Sequence, residues 1–223
     1  MEKNTKIVVL YRIAEKKNKY DKAKPVYISN IQCLKNFIFS APGVELHVFG
    51  DRLIESKEAV VDKVKNFHEI SNHGNAQSFN EVFDYALDNF EGDTIIYFVE
   101  DDYLHRLGFT DLIREGLEKV DYVTMYDHPD KYNGEPKTLF HTESTHWQLV
   151  ESTTMTFAAT VRTLKDDKEI IKHYTSAVHP HDHFMFKAIQ ENKKLLASPI
   201  PGHSTHGVTD LLSPIIDWEY EAQ

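Results

Sequence analysis

The 223-residue chain has a single cysteine, Cys33, so no internal disulfide framework can hold it together. It also lacks a basic excess. Its 25 Lys and Arg stand against 35 Asp and Glu, a formal net charge of -10. That balance gives no general attraction for duplex nucleic acid or an anionic membrane, although a local basic patch could still serve either. No apolar run approaches the length of a signal h-region or a membrane span, and residues 1–6 are polar and charged. A reducing, cytoplasmic setting is therefore expected. No repeat or low-complexity linker divides the chain, and 41% hydrophobic residues suffice for one sizeable core, so a single domain over 1–223 is expected.

What the chain does have is an abrupt junction at residues 94–105, T-I-I-Y-F-V-E-D-D-Y-L-H. Six β-branched and aromatic residues suit a buried strand. Glu100, Asp101 and Asp102 then fall at its carboxyl end, the edge where open α/β sheets place ligands. Three adjacent carboxylates repel one another unless a cation or hydrogen-bond donors compensate them. Two readings follow: a divalent-metal site facing a diphosphate, or an acidic turn capping a helix after Leu107.

Upstream, residues 6–11 read as a first buried strand delivering Tyr11 and Arg12 to the same edge. A basic loop follows over 12–24, either solvated surface or a phosphate contact. Pro25 offers a helix start, with Tyr27, Ile31, Leu34 and Ile38 at helical spacing before Pro42 and Gly43. Residues 44–49 form a second strand ending in Gly50 and Asp51, and 52–67 read as a charged helix. The motif S-N-H-G-N-A-Q-S-F-N at 71–80 opens an amphipathic helix whose stripe includes Phe79, Val82, Phe83, Ala86, Leu87 and Phe90. Free backbone N–H groups at such a helix start favour an anion, and a plain capped loop is the alternative.

This order of elements resembles the nucleotide-binding half of GT-A fold glycosyltransferases, in particular family-2-like enzymes and the small glycosyltransferase domains of large DNA viruses. The resemblance implies an α/β domain with a mixed, mostly parallel sheet flanked by helices. It implies a nucleotide-sugar half over about 1–105 and an acceptor and catalytic half over about 106–223. By the same resemblance Asp51 pairs with the nucleobase, and Asn72, Gly74 and Asn80 line the nucleotide sugar, with Ser78 where the family has Ala. Tyr11, Arg12, Glu100 and Asp101 join the donor site. Asp102, the last acid of a D-x-D-like triplet that begins with Glu, becomes the metal ligand.

The second half reads as a helix at 110–120, a strand at 121–126 ending in Asp127 and His128, and a polar stretch at 129–146 with Asn133-Gly134 as a turn signal. Strands at 147–150 and 153–161, a charged helix at 162–174 and a strand at 194–197 complete it. His179 to His183, H-P-H-D-H, runs into a helical pattern that places Asp182 at a helix start. The resemblance makes Asp182 the base of an inverting transfer, a role the chemistry asks of a carboxylate beside the acceptor hydroxyl; an N-cap is the competing role. It also makes His206, followed by Gly207, a further metal ligand, with His203 the weaker choice. Imidazole suits Mn2+ over Mg2+. The expected activity is metal-dependent transfer of a sugar, favouring a UDP-sugar donor, to a glycan or other hydroxyl acceptor, a modified nucleobase included. The alternatives are a zinc hydrolase built on His179 to His183, or a carbohydrate-binding module.

Overall fold

The computed structural model describes residues 5–15, 23–53, 56–71, 74–133 and 137–223. Strand β1 (Ile7–Ala14) is buried along its first seven positions, the pattern of a strand covered on both faces. It lies between and parallel to β2 (Glu45–Asp51) and β4 (Ile95–Glu100), and β3 (Asn66–Ile70) extends the sheet beyond β2. Across β4 the order continues with β9 (Phe157–Thr160), β6 (Tyr122–Val123), β10 (Leu196–Ile200), β8 (His146–Leu149) and β7 (Leu139–His141). Seven of these nine strands point one way, while β9 and β8 run against them. The sheet is thus mixed and mainly parallel, as the α/β reading requires.

Helices cover both faces. On one, α1 (Asn30–Ser40) and α4 (Phe109–Leu117) bury Leu34, Phe37, Phe109 and Ile113 with Trp147 of β8. On the other, α3 (Asn75–Asn89), α5 (Val161–Asp166), α6 (Lys168–Tyr174) and α7 (Asp182–Glu191) bury Phe79, Phe83, Leu164, Ile171 and Phe186 against Phe98 and Phe157. A short ribbon of β5 (Tyr103–His105) and β11 (Ser204–His206) packs beside α1 and α8 (Trp218–Glu221). No described helix is long and apolar enough to cross a membrane.

Four local expectations need correction. The helix expected from Pro25 begins at Asn30, because Ile28 N–H closes a turn on the Pro25 carbonyl at 3.0 Å and the Ser29 hydroxyl caps Gln32 N–H at 3.2 Å. The charged stretch 52–67 holds only the short α2 (Lys57–Val61), and its end belongs to β3, which pairs with β2. An edge strand needs an apolar pattern on one face at most, so its polar residues hid it. The helix expected at 162–174 is two, meeting at Asp167, whose buried carboxylate accepts the Tyr122 hydroxyl at 2.7 Å. Strand β5 was not foreseen, nor were β7 in the polar stretch 129–146 and β11 after Gly202.

Asn36 of α1 holds that ribbon in place. Its Oδ1 accepts His105 N–H at 2.7 Å, and its Nδ2 donates to the His105 and Glu221 carbonyls at 3.1 and 2.7 Å. Asn36→Ala strands a buried N–H and should lower unfolding free energy by about 1–3 kcal/mol, read from urea denaturation.

Candidate active site

The carboxyl ends of β1, β2 and β4 open onto a cavity of about 400 Å³. Five carboxylates line it, from Asp51, Glu100, Asp101, Asp102 and Asp182, together with Arg12, Arg52 and His206. This is the edge at which a parallel sheet splays and leaves room for a ligand.

The three consecutive acids have three different partners. Glu100 Oε1 pairs with Arg12 Nη2 at 3.3 Å and accepts from Asn75 Nδ2 at 3.3 Å. Asp101 Oδ2 accepts from Ala14 N–H and Asn30 Nδ2, both at 2.8 Å, closing β1 onto α1. Asp102 Oδ2 lies 3.0 Å from Lys24 Nζ and 3.5 Å from His206 Nε2. Antiparallel pairing brings His206 there: it stands opposite Tyr103, and the two rings stack at 5.2 Å. Gly207 N–H then reaches the Asp102 carbonyl at 2.6 Å, and a Cβ on Gly207 would lie 2.8 Å from that oxygen, so the close approach requires glycine.

Two ligands on one octahedral ion with bonds of about 2.1 Å sit about 3 Å apart, so the Asp102 and His206 atoms have nearly the spacing of neighbouring ligands. Among the described residues no three His, Cys, Asp or Glu side chains form a metal-holding group. An ion held by this pair would take its remaining ligands from substrate phosphates and water, the usual habit of Mg2+ and related ions, and would displace Lys24 Nζ from the same Asp102 oxygen.

Arg12 is buried; its Nη1 donates to Asn75 Oδ1 at 2.5 Å and to the Asn75 carbonyl at 3.1 Å, and its guanidinium lies over Phe79 at 5.5 Å. Burial pulls its pKa down, against the raising effect of Glu100, Asp101 and Asp102. Asp51 lines the cavity with its carboxylate chelated by Arg52 at 3.0 and 3.3 Å. Gly74 and Ser78 are on the wall at the start of α3; a Cβ on Gly74 would lie 2.9 Å from the Val178 carbonyl. Asn75 lines the cavity too, and sequence reasoning passed over it in favour of its neighbours.

Two expected donor-site residues stand elsewhere. Tyr11 does not line the cavity: it is fully buried against Phe37, ring centroids 5.5 Å apart, because side chains alternate along β1 and Arg12 takes the opposite face. Asn80 faces α6, donating to the Thr175 carbonyl at 2.7 Å and accepting the Thr175 hydroxyl at 2.8 Å, and so ties two helices together. Asn72 lies outside the described residues, as do residues 16–22 of the basic loop.

Asp182 is the first residue of α7 and accepts His183 N–H at 2.8 Å. Burial raises its pKa, opposed by hydrogen bonding and charge at His183. It lines the large cavity and also a second one of about 160 Å³, and so forms part of the wall between them. His179, His181 and His183 are exposed, and His183 Nδ1 meets Ser152 Oγ at 3.1 Å; these imidazoles belong to no metal-holding group among the described residues. Asp127, which also ends a predicted strand, is fully buried and lines neither cavity. Its oxygens accept from Tyr132 OH and, at 2.9 Å, from Gln148 Nε2.

The architecture is a GT-A-like fold, shared with several solved structures. GalNAc-T7, solved with UDP, GalNAc and Mn2+, superposes with a TM-score of 0.65 at 9% identity over 94% of this chain and 45% of its own. The 4-diphosphocytidyl-2C-methyl-D-erythritol synthase of Anaerococcus prevotii gives 0.55 at 8% identity over 98% and 95% of the two chains. S. aureus TarS gives 0.51 at 16% over 87% and 58%. This chain thus spans about half of GalNAc-T7 and of TarS. No protein-family model and no curated protein matches it in sequence.

Burial raises the Asp127 carboxyl to about 6 from an ordinary 3.8. A folded-state pKa above the unfolded one stabilises the protein below the unfolded value, and that contribution is lost as pH rises through the folded one. Asp127→Asn should therefore gain in melting temperature relative to the parent between about pH 4 and 6, with the difference constant above that window; thermal unfolding across pH checks it.

Proposed function

We propose that this chain transfers a sugar from a nucleotide diphosphate donor, a UDP-sugar by preference, to an acceptor hydroxyl with inversion and with a divalent metal. The observation that carries the reading is the meeting of Asp102 and His206, 3.5 Å apart, on the same cavity as Asp51, Gly74 and Asp182. With five carboxylates against two guanidiniums on the wall and the Lys24 ammonium at Asp102, a diphosphate needs additional positive charge to bind there. When bound, Mn2+ or Mg2+ held by Asp102 and His206 supplies that charge and stabilises the leaving diphosphate.

The remaining work belongs to the chain. Asp51 accepts the imide N–H of a uracil, where cytosine offers only an acceptor. Arg12 neutralises Glu100 and pins Asn75, which fixes the start of α3 beside the phosphates. Asp182 takes the acceptor proton as the oxygen attacks, and its burial makes it a stronger base than an ordinary aspartate. In this reading residues up to about 105 bind the donor and the remainder, from about 106, carries the acceptor and the base, with His206 returning to complete the metal pair.

Asp102→Ala and His206→Ala should each abolish Mn2+-dependent UDP binding in calorimetric titration. Retained affinity in Asp102→Ala removes the metal from this site.

Asp182→Asn should keep UDP and Mn2+ affinity yet lose transfer by about a hundredfold or more. The parent's kcat/KM should fall as pH drops through the raised pKa of Asp182, on a limb above the ordinary aspartate value of about 3.9, because the base must be ionised. The limb should be absent from the residual activity of Asp182→Asn.

A further inference from the structure

Resting on the reading of Asp182 as the base, we infer that the smaller cavity beside it takes a single neutral sugar ring as acceptor and rejects its phosphorylated counterparts. Its volume of about 160 Å³ is well below the roughly 300–1,000 Å³ that accommodates drug-sized ligands. Asp182 and Thr154 line both cavities, so a hydroxyl in the smaller one faces the base and the donor together.

The charges decide against an anion. Lys131, on the wall of this cavity, is committed to Asp130, 3.2 Å away. Burial lowers the His128 pKa while Asp130 raises it, and its Nδ1 faces Asp130, 3.0 Å from the backbone N and 2.8 Å from Oδ1. The start of α7 would ordinarily attract a phosphate, but Asp182 Oδ1 already takes the His183 N–H there. A phosphate would therefore meet the carboxylates of Asp182 and Asp130, with the Lys131 ammonium already paired to Asp130 and the imidazoles of His128 and His183 each turned to a protein partner, Asp130 and Ser152.

The polar lining suits a polyol instead. Ser152 and Thr153 present hydroxyls with one protein partner each, at 3.1 and 3.0 Å, and so retain further hydrogen-bonding valences, while the Thr154 hydroxyl meets Tyr103 OH at 2.7 Å and accepts Thr156 N–H at 3.3 Å. A sugar hydroxyl both donates and accepts, and so matches them. Tyr126 spends its hydroxyl on the Leu211 carbonyl at 2.5 Å and offers its ring.

The test is ligand-observed NMR with methyl glycosides of glucose, galactose, mannose and N-acetylglucosamine against the corresponding sugar 6-phosphates, without donor, and with a hydroxymethylpyrimidine oligonucleotide as a third class. At least one methyl glycoside should bind, at least tenfold more tightly than its 6-phosphate. Ser152→Ala should weaken it several-fold, and Asp130→Asn, which releases Lys131, should improve sugar-phosphate binding several-fold. Tighter binding of a phosphate or of the oligonucleotide, no glycoside binding, or indifference to both substitutions overturns the inference. Parent UDP titration run alongside reports on the donor site alone, so loss of the transferase reading shows there and loss of the acceptor reading shows in the glycoside spectra.

Discussion

Charge balance at the end of β4 is the constraint on which the site depends. Three carboxylates in succession at the end of a buried strand cannot stay ionised without compensation. The fold answers each differently: a buried guanidinium for Glu100, a backbone N–H and an amide for Asp101, and an ammonium for Asp102, with the His206 ring 3.5 Å away. Those answers draw β1, α1, α3 and β11 to one point, so the geometry of the cavity follows from electrostatics as much as from packing. Arg12 shows the trade. Burial works against its charge, and the neighbouring acids and the Phe79 face support it.

The two short strands β5 and β11 turn this cluster into a site. The register that sets His206 opposite Tyr103 also lets Gly207 close on the Asp102 carbonyl, so the imidazole is placed by main-chain pairing as well as by its ring contacts. Asp182 is held by α7 at a wall shared by two cavities of unequal size and unlike lining. Two substrates and one proton transfer between them are what such a partition suits.

Much of the fold was legible in the chain. The buried strands β1, β2 and β4 declare themselves as apolar runs, and α3 by its stripe of Phe79, Val82, Phe83 and Ala86. The acid triplet and Asp51 could be placed on one sheet edge because each follows a readable strand, and Gly74 because it opens the readable helix α3. Strand β3 was not legible, since its polar residues answer to an edge position. Tyr11 was misplaced because side chains alternate along β1, which packs it with Val9 against Leu34 and Phe37 of α1 while Arg12 turns to the opposite face over Phe79. Asn80 had the right residue type but points from the helix toward Thr175.

By itself the sequence determined where the buried strands β1, β2 and β4 and the striped helix α3 arise, and that acids gather at the end of one strand, because burial periodicity and residue chemistry are local. Only the tertiary structure decided which partner each acid has, that His206 reaches Asp102, and that Asp182 divides two cavities while Asp127 is enclosed. Those outcomes depend on strand order, register and helix orientation, which bring together residues far apart in the chain. No local pattern encodes such a meeting.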